Sequence, residues 1–136
     1  MILIDSSVLV AYAVTQDINH EKAVRIINSI VKGEFGGAYT SDYIFAETVT
    51  VTLFKSKSVN NATVVGRYIK ESTTILKTDE FDFEATWELF KDQNSPKFSF
   101  TDCCIISLAR RYGIGEIATF DKEFKKIRDV RIIDNV

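Results

Sequence analysis

One stretch, Met1-Ile2-Leu3-Ile4-Asp5-Ser6-Ser7, constrains the fold of this 136-residue chain more than any other. Four apolar residues run straight into one carboxylate and two hydroxyls. A short, continuous apolar run reads as a strand buried on both faces, as inside a parallel sheet. Asp5 then stands at the strand's C-terminal end, the edge where open α/β sheets bind ligands. Ser6 or Ser7 is suited to cap a following helix, since a serine oxygen accepts from the free N–H groups of a first turn. On this reading Asp5 is one corner of an acidic metal site that later acidic residues complete.

The same alternation recurs along the chain. Val8 to Ala13 predicts a first, largely buried helix. Asn19 can cap a second, in which Ala23, Ile26, Ile27, Ile30 and Val31 form one apolar stripe until Gly33 and Gly36-Gly37 break it. Ala38-Tyr39-Thr40 reads as a second strand, with Ser41 capping a helix from Asp42 that carries Ile44, Phe45, Glu47, Thr48, Val49, Val51 and Leu53. A helix over about 60–71 follows, with Val64, Val65, Tyr68 and Ile69 buried, and then a third strand at 73–76. Asp82 can cap the helix containing Ala85, Trp87, Leu89 and Phe90, which ends at Asn94-Ser95-Pro96. Ser99-Phe100-Thr101-Asp102 is a capping-box pattern before the apolar run 103–109, and that helix stops at Gly113. A fourth strand over 116–120 ends at Asp121. A short helix runs through Phe124, and a last strand covers 130–133. Strands alternating with helices predict an α/β/α sandwich around a central, mainly parallel sheet of about five strands, in a single domain over 1–136.

Composition narrows the chemistry. The net charge is −2, so no strongly basic surface advertises nucleic acid, although a local patch suffices for binding. His20 is the only histidine, which argues against zinc hydrolase and Ser-His-Asp chemistry. Cys103 and Cys104 are adjacent and match no zinc or CxxC spacing, so they read as reduced thiols. Met1 leads into a strand without a basic n-region, and no apolar run is long enough for a bilayer; a cytoplasmic protein that makes no use of a membrane is the expectation.

The acidic residues carry the functional signal. Asp5 and Asp121 end predicted strands, and Glu47 and Asp102 lie early in helices that begin near the same edge. In a parallel sheet all four converge. Two carboxylates ~4 Å apart repel by about 4 kcal/mol at an effective dielectric of ~20. A divalent cation removes that penalty, and an all-carboxylate, histidine-free set suits a hard ion, Mg²⁺ or Mn²⁺. One or two such ions activate water and brace a phosphodiester for in-line attack. Each acid also has a plainer role: Asp5 as strand end and helix cap, Asp102 as cap, Asp121 as N-cap, Glu47 as a solvated helix residue. Their joint placement at one edge is what favours the site.

Ile-Leu-Ile-Asp5-Ser-Ser-Val-Leu, Phe45-Ala-Glu47, Phe100-Thr-Asp102-Cys-Cys-Ile-Ile-Ser-Leu-Ala and Ala118-Thr-Phe-Asp121-Lys-Glu-Phe, in this order across nearly the whole chain, resemble a PIN domain. The set looks most like the small VapC toxins of prokaryotic toxin–antitoxin pairs. The resemblance implies a Mg²⁺- or Mn²⁺-dependent endoribonuclease with Asp5, Glu47, Asp102 and Asp121 as the catalytic, metal-binding quartet. It also implies supporting hydroxyls at Ser6 and Thr119, an antitoxin partner and a homodimer; the apolar helices at 8–14 and 64–69 favour the dimer as well. Glu123 stands where many relatives have Asp, and reads as an exposed helix residue. Lys55, Lys57 and Lys122 are candidate contacts to RNA phosphates, with Arg67, Lys70, Lys125, Lys126 and Arg128 nearby in sequence.

Rival readings fit less well. A receiver domain needs adjacent acids after its first strand, where this chain has Ser6-Ser7, and a haloacid-dehalogenase-like phosphatase needs Asp-x-Asp, where Ser7 holds the second position. The remaining alternative is a catalytically silent PIN-like module that binds RNA or protein.

Overall fold

The computed structural model describes residues 1–136. Its centre is β1 (Ile2–Ile4), whose three side chains are fully buried. The other strands are β2 (Ala38–Ser41), β3 (Thr74–Leu76), β4 (Glu116–Ala118) and β5 (Arg131–Ile133). They form one sheet in the order β3-β2-β1-β4-β5, with every pairing parallel. Leu3 lies opposite Tyr39 on one side and Ile117 on the other. The chain winds outward from β1 through β2 to β3, then returns to β4 on β1's other flank. This reversal makes the β1/β4 crevice the topological switch point of the sheet, the position that doubly wound folds use for ligands.

Six helices cover the sheet. They are α1 (Ser6–Ala13), α2 (His20–Val31), α3 (Asp42–Ser56), α4 (Val59–Ser72), α5 (Glu80–Lys91) and α6 (Phe100–Tyr112). A 3₁₀ turn, Lys122–Lys126, links β4 to β5. α1 packs on α2, α3 and α4, while α5 packs on α6. Right-handed crossovers from β1 to β3 and back to β4 place these two groups on opposite faces, giving the expected three layers. No helix is long and apolar enough to cross a membrane.

Several local expectations need correction. The cap of α1 is Asp5 itself, whose side chain accepts from the Ser7 amide, and not Ser6 or Ser7. Asn19 precedes α2 but makes no side-chain cap bond; its own amide donates to Asp17 at 2.9 Å. The fourth strand ends at Ala118 rather than Phe120: the Thr119 amide still donates to Ile133 O, but that of Phe120 turns to Ser7 Oγ and that of Asp121 to Thr119 Oγ1. Val31 and Val64 are exposed, whereas α1 buries Val8, Leu9, Val10 and Ala11 inside the protomer. The apolar content of α1 is therefore used within the chain.

Asp82 is the largest departure. It is the third residue of α5, not its cap. Asp79 is the cap, and the two share a reciprocal capping box, Asp82 N to Asp79 Oδ1 at 2.9 Å and Asp79 N to Asp82 Oδ2 at 3.2 Å. Asp82 is fully buried, and its other oxygen faces Arg111 of α6 at 2.6 Å. Two acids three positions apart at a helix start are indistinguishable by sequence pattern; only the packing of α5 on α6 selects which one turns inward.

Gly113 terminates α6 at φ +63, with its amide and that of Ile114 returning to the Ala109 carbonyl. A Cβ there would meet nothing within 4 Å, so the backbone conformation alone opposes a side chain. Gly113→Ala is expected to cost about 1 kcal/mol, read as a lower urea midpoint at unchanged slope.

Candidate active site

Asp5, at the mouth of the β1/β4 crevice, is 4% exposed. Its carboxylate is surrounded by hydroxyls. Ser7 Oγ donates to it at 2.6 Å and Thr119 Oγ1 at 2.8 Å, with Ser6 Oγ more distant at 3.4 Å. These bonds offset much of the desolvation of a buried charge and fix its orientation. Ser6 Oγ also lies 2.5 Å from Glu47 Oε2 and so joins the ends of β1 and α3. Thr119 Oγ1 accepts the Asp121 amide at 3.0 Å, which ties Asp121 to the same network.

Asp102 comes in from α6. Its side chain accepts the Ser99 amide at 2.7 Å, and its own amide donates to Ser99 Oγ, completing the expected capping box. Burial pushes the Asp102 carboxyl above its usual range, and the charges of Asp5 and Asp121 push the same way, while the Ser99 hydrogen bonds oppose them. Asp102 thus feels the charges of Asp5 and Asp121, and Ser6 links the fourth acid, Glu47, to Asp5.

The plainer roles are filled as well. Asp5 caps α1, Asp121 caps the 3₁₀ turn by accepting the Glu123 amide at 2.9 Å, and Asp102 completes the capping box of α6 from its third position, with Ser99 as the cap. In these conformations no three acidic, histidine or cysteine side chains converge closely enough to enclose a metal ion. The donor set nevertheless suits one. It consists of hard oxygens, it concentrates like charge, and none of the chain's ion pairs neutralises any of the four acids. By its chemistry such a set fits a hard divalent cation better than a soft one.

Ser7 was the residue that sequence reasoning passed over as a site member. It holds both Asp5 and the Phe120 amide, and the doubled hydroxyl of Asp5-Ser6-Ser7 was the available signal. Among the basic candidates, Lys55, Lys57 and Lys122 are exposed. Lys55 pairs with Asp17 at 3.3 Å; Lys57 (φ +53, at the end of α3) and Lys122 make no ion pair. Glu123 is half-buried and pairs with Lys126.

Cys103 and Cys104 are buried beside Asp102 and form no disulfide. Burial, reinforced by the Asp102 charge, pushes the Cys103 thiol up to about 11. At pH 8 almost none of it is thiolate, the reactive form. Ellman's reagent at pH 8 is expected to leave the native thiols unmodified over minutes and to titrate both after denaturation. Rapid native reaction would contradict the packing of α6.

The PIN domain family model matches residues 2–130. No curated protein sequence matches the chain significantly. Among solved structures it is similar to VapC20 of Mycobacterium tuberculosis, described as a sarcin–ricin loop cleaving toxin, with a TM-score of 0.82 at 23% identity over 96% of this chain and 99% of that one. It is also similar to VapBC2 of Rickettsia felis, solved with a DNA fragment from their promoter (TM-score 0.70, 14% identity, 98% of each chain). A third is FitAcB of Neisseria gonorrhoeae (TM-score 0.66, 20% identity, 98% of this chain and 96% of that one). At these identities the likeness is one of fold.

Proposed function

The chain belongs to the PIN-domain family, and from that membership we propose that it is a metal-dependent endoribonuclease, the toxin of a toxin–antitoxin pair. The observation that carries this reading is the group of acids at the switch point: Asp5, Glu47 and Asp121 are linked through Ser6, Ser7 and Thr119, Asp102 feels the charges of Asp5 and Asp121, and none of the four has a basic partner. These four residues would hold Mg²⁺ or Mn²⁺, as one or two ions. When bound, such an ion lowers the pKa of water and stabilises charge on a phosphodiester. The chain's own residues supply position. Ser7 and Thr119 fix the Asp5 carboxylate, Ser6 holds Glu47 toward it, and Thr119 anchors the Asp121 backbone. Lys57 and Lys122, free of ion pairs, would meet RNA phosphates without reading sequence.

Two protein partners belong to this reading. One is an antitoxin, consistent with the VapBC2 assembly among the structural neighbours. The other is a second copy of the chain. Support for it lies on α5, where Phe83, Trp87 and Phe90 are exposed and, through Phe100, form a continuous aromatic cluster. Exposed aromatic patches of this kind mark interaction surfaces. Light scattering at micromolar concentration is expected to give twice the 15.4 kDa chain mass; a monomer would contradict the dimer.

The test of the activity is cleavage of mixed single-stranded RNA with Mn²⁺, with Mg²⁺ and with EDTA. The expected result is cutting that requires metal and leaves no 2′,3′-cyclic phosphate, because water and not the 2′-OH attacks. No cleavage of any RNA by the folded protein, or cleavage unaffected by EDTA, would contradict the proposal; the former would favour a silent binding module.

A further inference from the structure

Next to the acid cluster lies a pocket of about 450 Å³, whose lining includes Ser6, Glu47, Asp17, Asn19, Lys55 and Phe120. Ser6 and Glu47 form its wall on the side of the acid cluster. The opposite wall uses residues that the cluster does not. Two tight turns after α1, Asp17 N to Val14 O and His20 N to Asp17 O, both 2.9 Å, hold that wall in place. Asp17 is sheltered, with a side-chain exposure of 16%; Oδ1 accepts the Asn19 amide and Oδ2 receives Lys55 Nζ at 3.3 Å. Asn19 stands at a helix start, yet its carboxamide makes no cap bond and is free for a ligand. Ile18, at the rim, is 95% exposed.

We propose that this pocket seats one unpaired nucleobase of the RNA beside the scissile phosphate, and that it favours guanine. The inference rests on RNA being the substrate and adds to it a residue-level basis for sequence preference. The pocket's size is that of a small-molecule site and accommodates a purine with its sugar. Phe120 supplies an aromatic face, the usual platform for a base taken out of its stack. Asp17 and Lys55 place an acceptor beside a donor. Guanine presents the complement on one edge: N1–H and N2–H toward a carboxylate and O6 toward an ammonium. The Asn19 carboxamide adds a second, neutral group that both donates and accepts. A peptide could also occupy a polar pocket, but the adjacent donor and acceptor beside an aromatic face match a base edge more closely.

The test uses the full-length protein in EDTA, with fluorescently labelled uridine octamers carrying one central guanine, adenine or cytosine, read by anisotropy. The wild type is expected to bind the guanine octamer about tenfold more tightly than the all-uridine one, the discrimination that one well-formed base contact supplies. Asp17→Asn and Asn19→Ala are each expected to remove most of that preference while changing all-uridine binding less than twofold. Asn at position 17 still accepts the Asn19 amide, so the turn is retained. The same octamers are then incubated with Mn²⁺, where cuts should fall next to the guanine. Absence of a base preference in the wild type, absence of octamer binding, or a preference that survives both variants would overturn the pocket assignment. A guanine preference lost in the variants but without any cleavage would uphold the pocket and contradict the nuclease reading.

Discussion

Asp5→Asn is expected to reduce metal-dependent RNA cleavage by at least about 10²–10³-fold, the scale of loss when one preorganised electrostatic group is removed from a reaction centre, and to leave the fold intact. Asparagine matches aspartate as a helix cap and keeps an acceptor oxygen for the Ser7 amide, while the hydroxyls of Ser7 and Thr119 can rotate to suit an amide. What disappears is a negative charge. In EDTA that loss relieves repulsion against Asp102, so the variant should melt no lower than the wild type. Mn²⁺ should then raise the melting temperature of the wild type and not that of Asp5→Asn, because only a state that binds the ion gains from it. Activity and stability moving in opposite directions is the expected signature of a functional charge cluster. A variant that cuts as well as the wild type would show that Asp5 is a cap and nothing more.

The largest effect on stability is expected away from the site, at Asp82. Asp82→Ala removes the third-position half of the capping box and the carboxylate opposite Arg111, from a fully buried position. A lost cap bond costs about 1 kcal/mol and a lost charge-assisted contact about as much again or more. The sum is about 2–3 kcal/mol, which for a chain of this length lowers Tm by about 5–10 °C. Arg111→Met should lower Tm at least as far, since it leaves the Asp82 carboxylate buried without its counter-charge. A change of less than about 1 °C in both variants, by calorimetry, would mean that the α5–α6 contact does not depend on this pair.

These two residues also mark where the sequence could and could not be read. The sheet was legible because each strand is a short apolar run ending in turn or cap chemistry, and helices of ordinary length separate the runs. The all-parallel order follows from that alternation. Asp5 was legible for the same reason, since it marks the point where an apolar run stops, whereas Asp121 lies three residues beyond the end of β4, at the cap of the 3₁₀ turn. Asp82 was not, because an acid at the cap and an acid three residues later satisfy the same rule. Choosing between them takes the position of Arg111 on another helix. α3 was misleading in another way. Its buried positions are Ile44, Thr48 and Thr52, so a polar stripe faces the core while Phe54 is exposed. Periodicity identifies a face by its hydrophobicity and misses one built from threonines. The pocket at Asp17 and Asn19 arises from a turn whose shape depends on backbone bonds between residues that look like ordinary loop, and so carries no pattern.

The measurement that addresses the acid site most directly is a calorimetric titration of Mn²⁺ into the folded wild-type protein and into Asp5→Asn and Asp121→Asn. The account predicts saturable binding of one or two ions per chain, weakened at least tenfold in each variant. Absence of binding by the wild type at millimolar Mn²⁺, or equal binding by all three proteins, would contradict the assignment of these carboxylates as a metal-dependent centre.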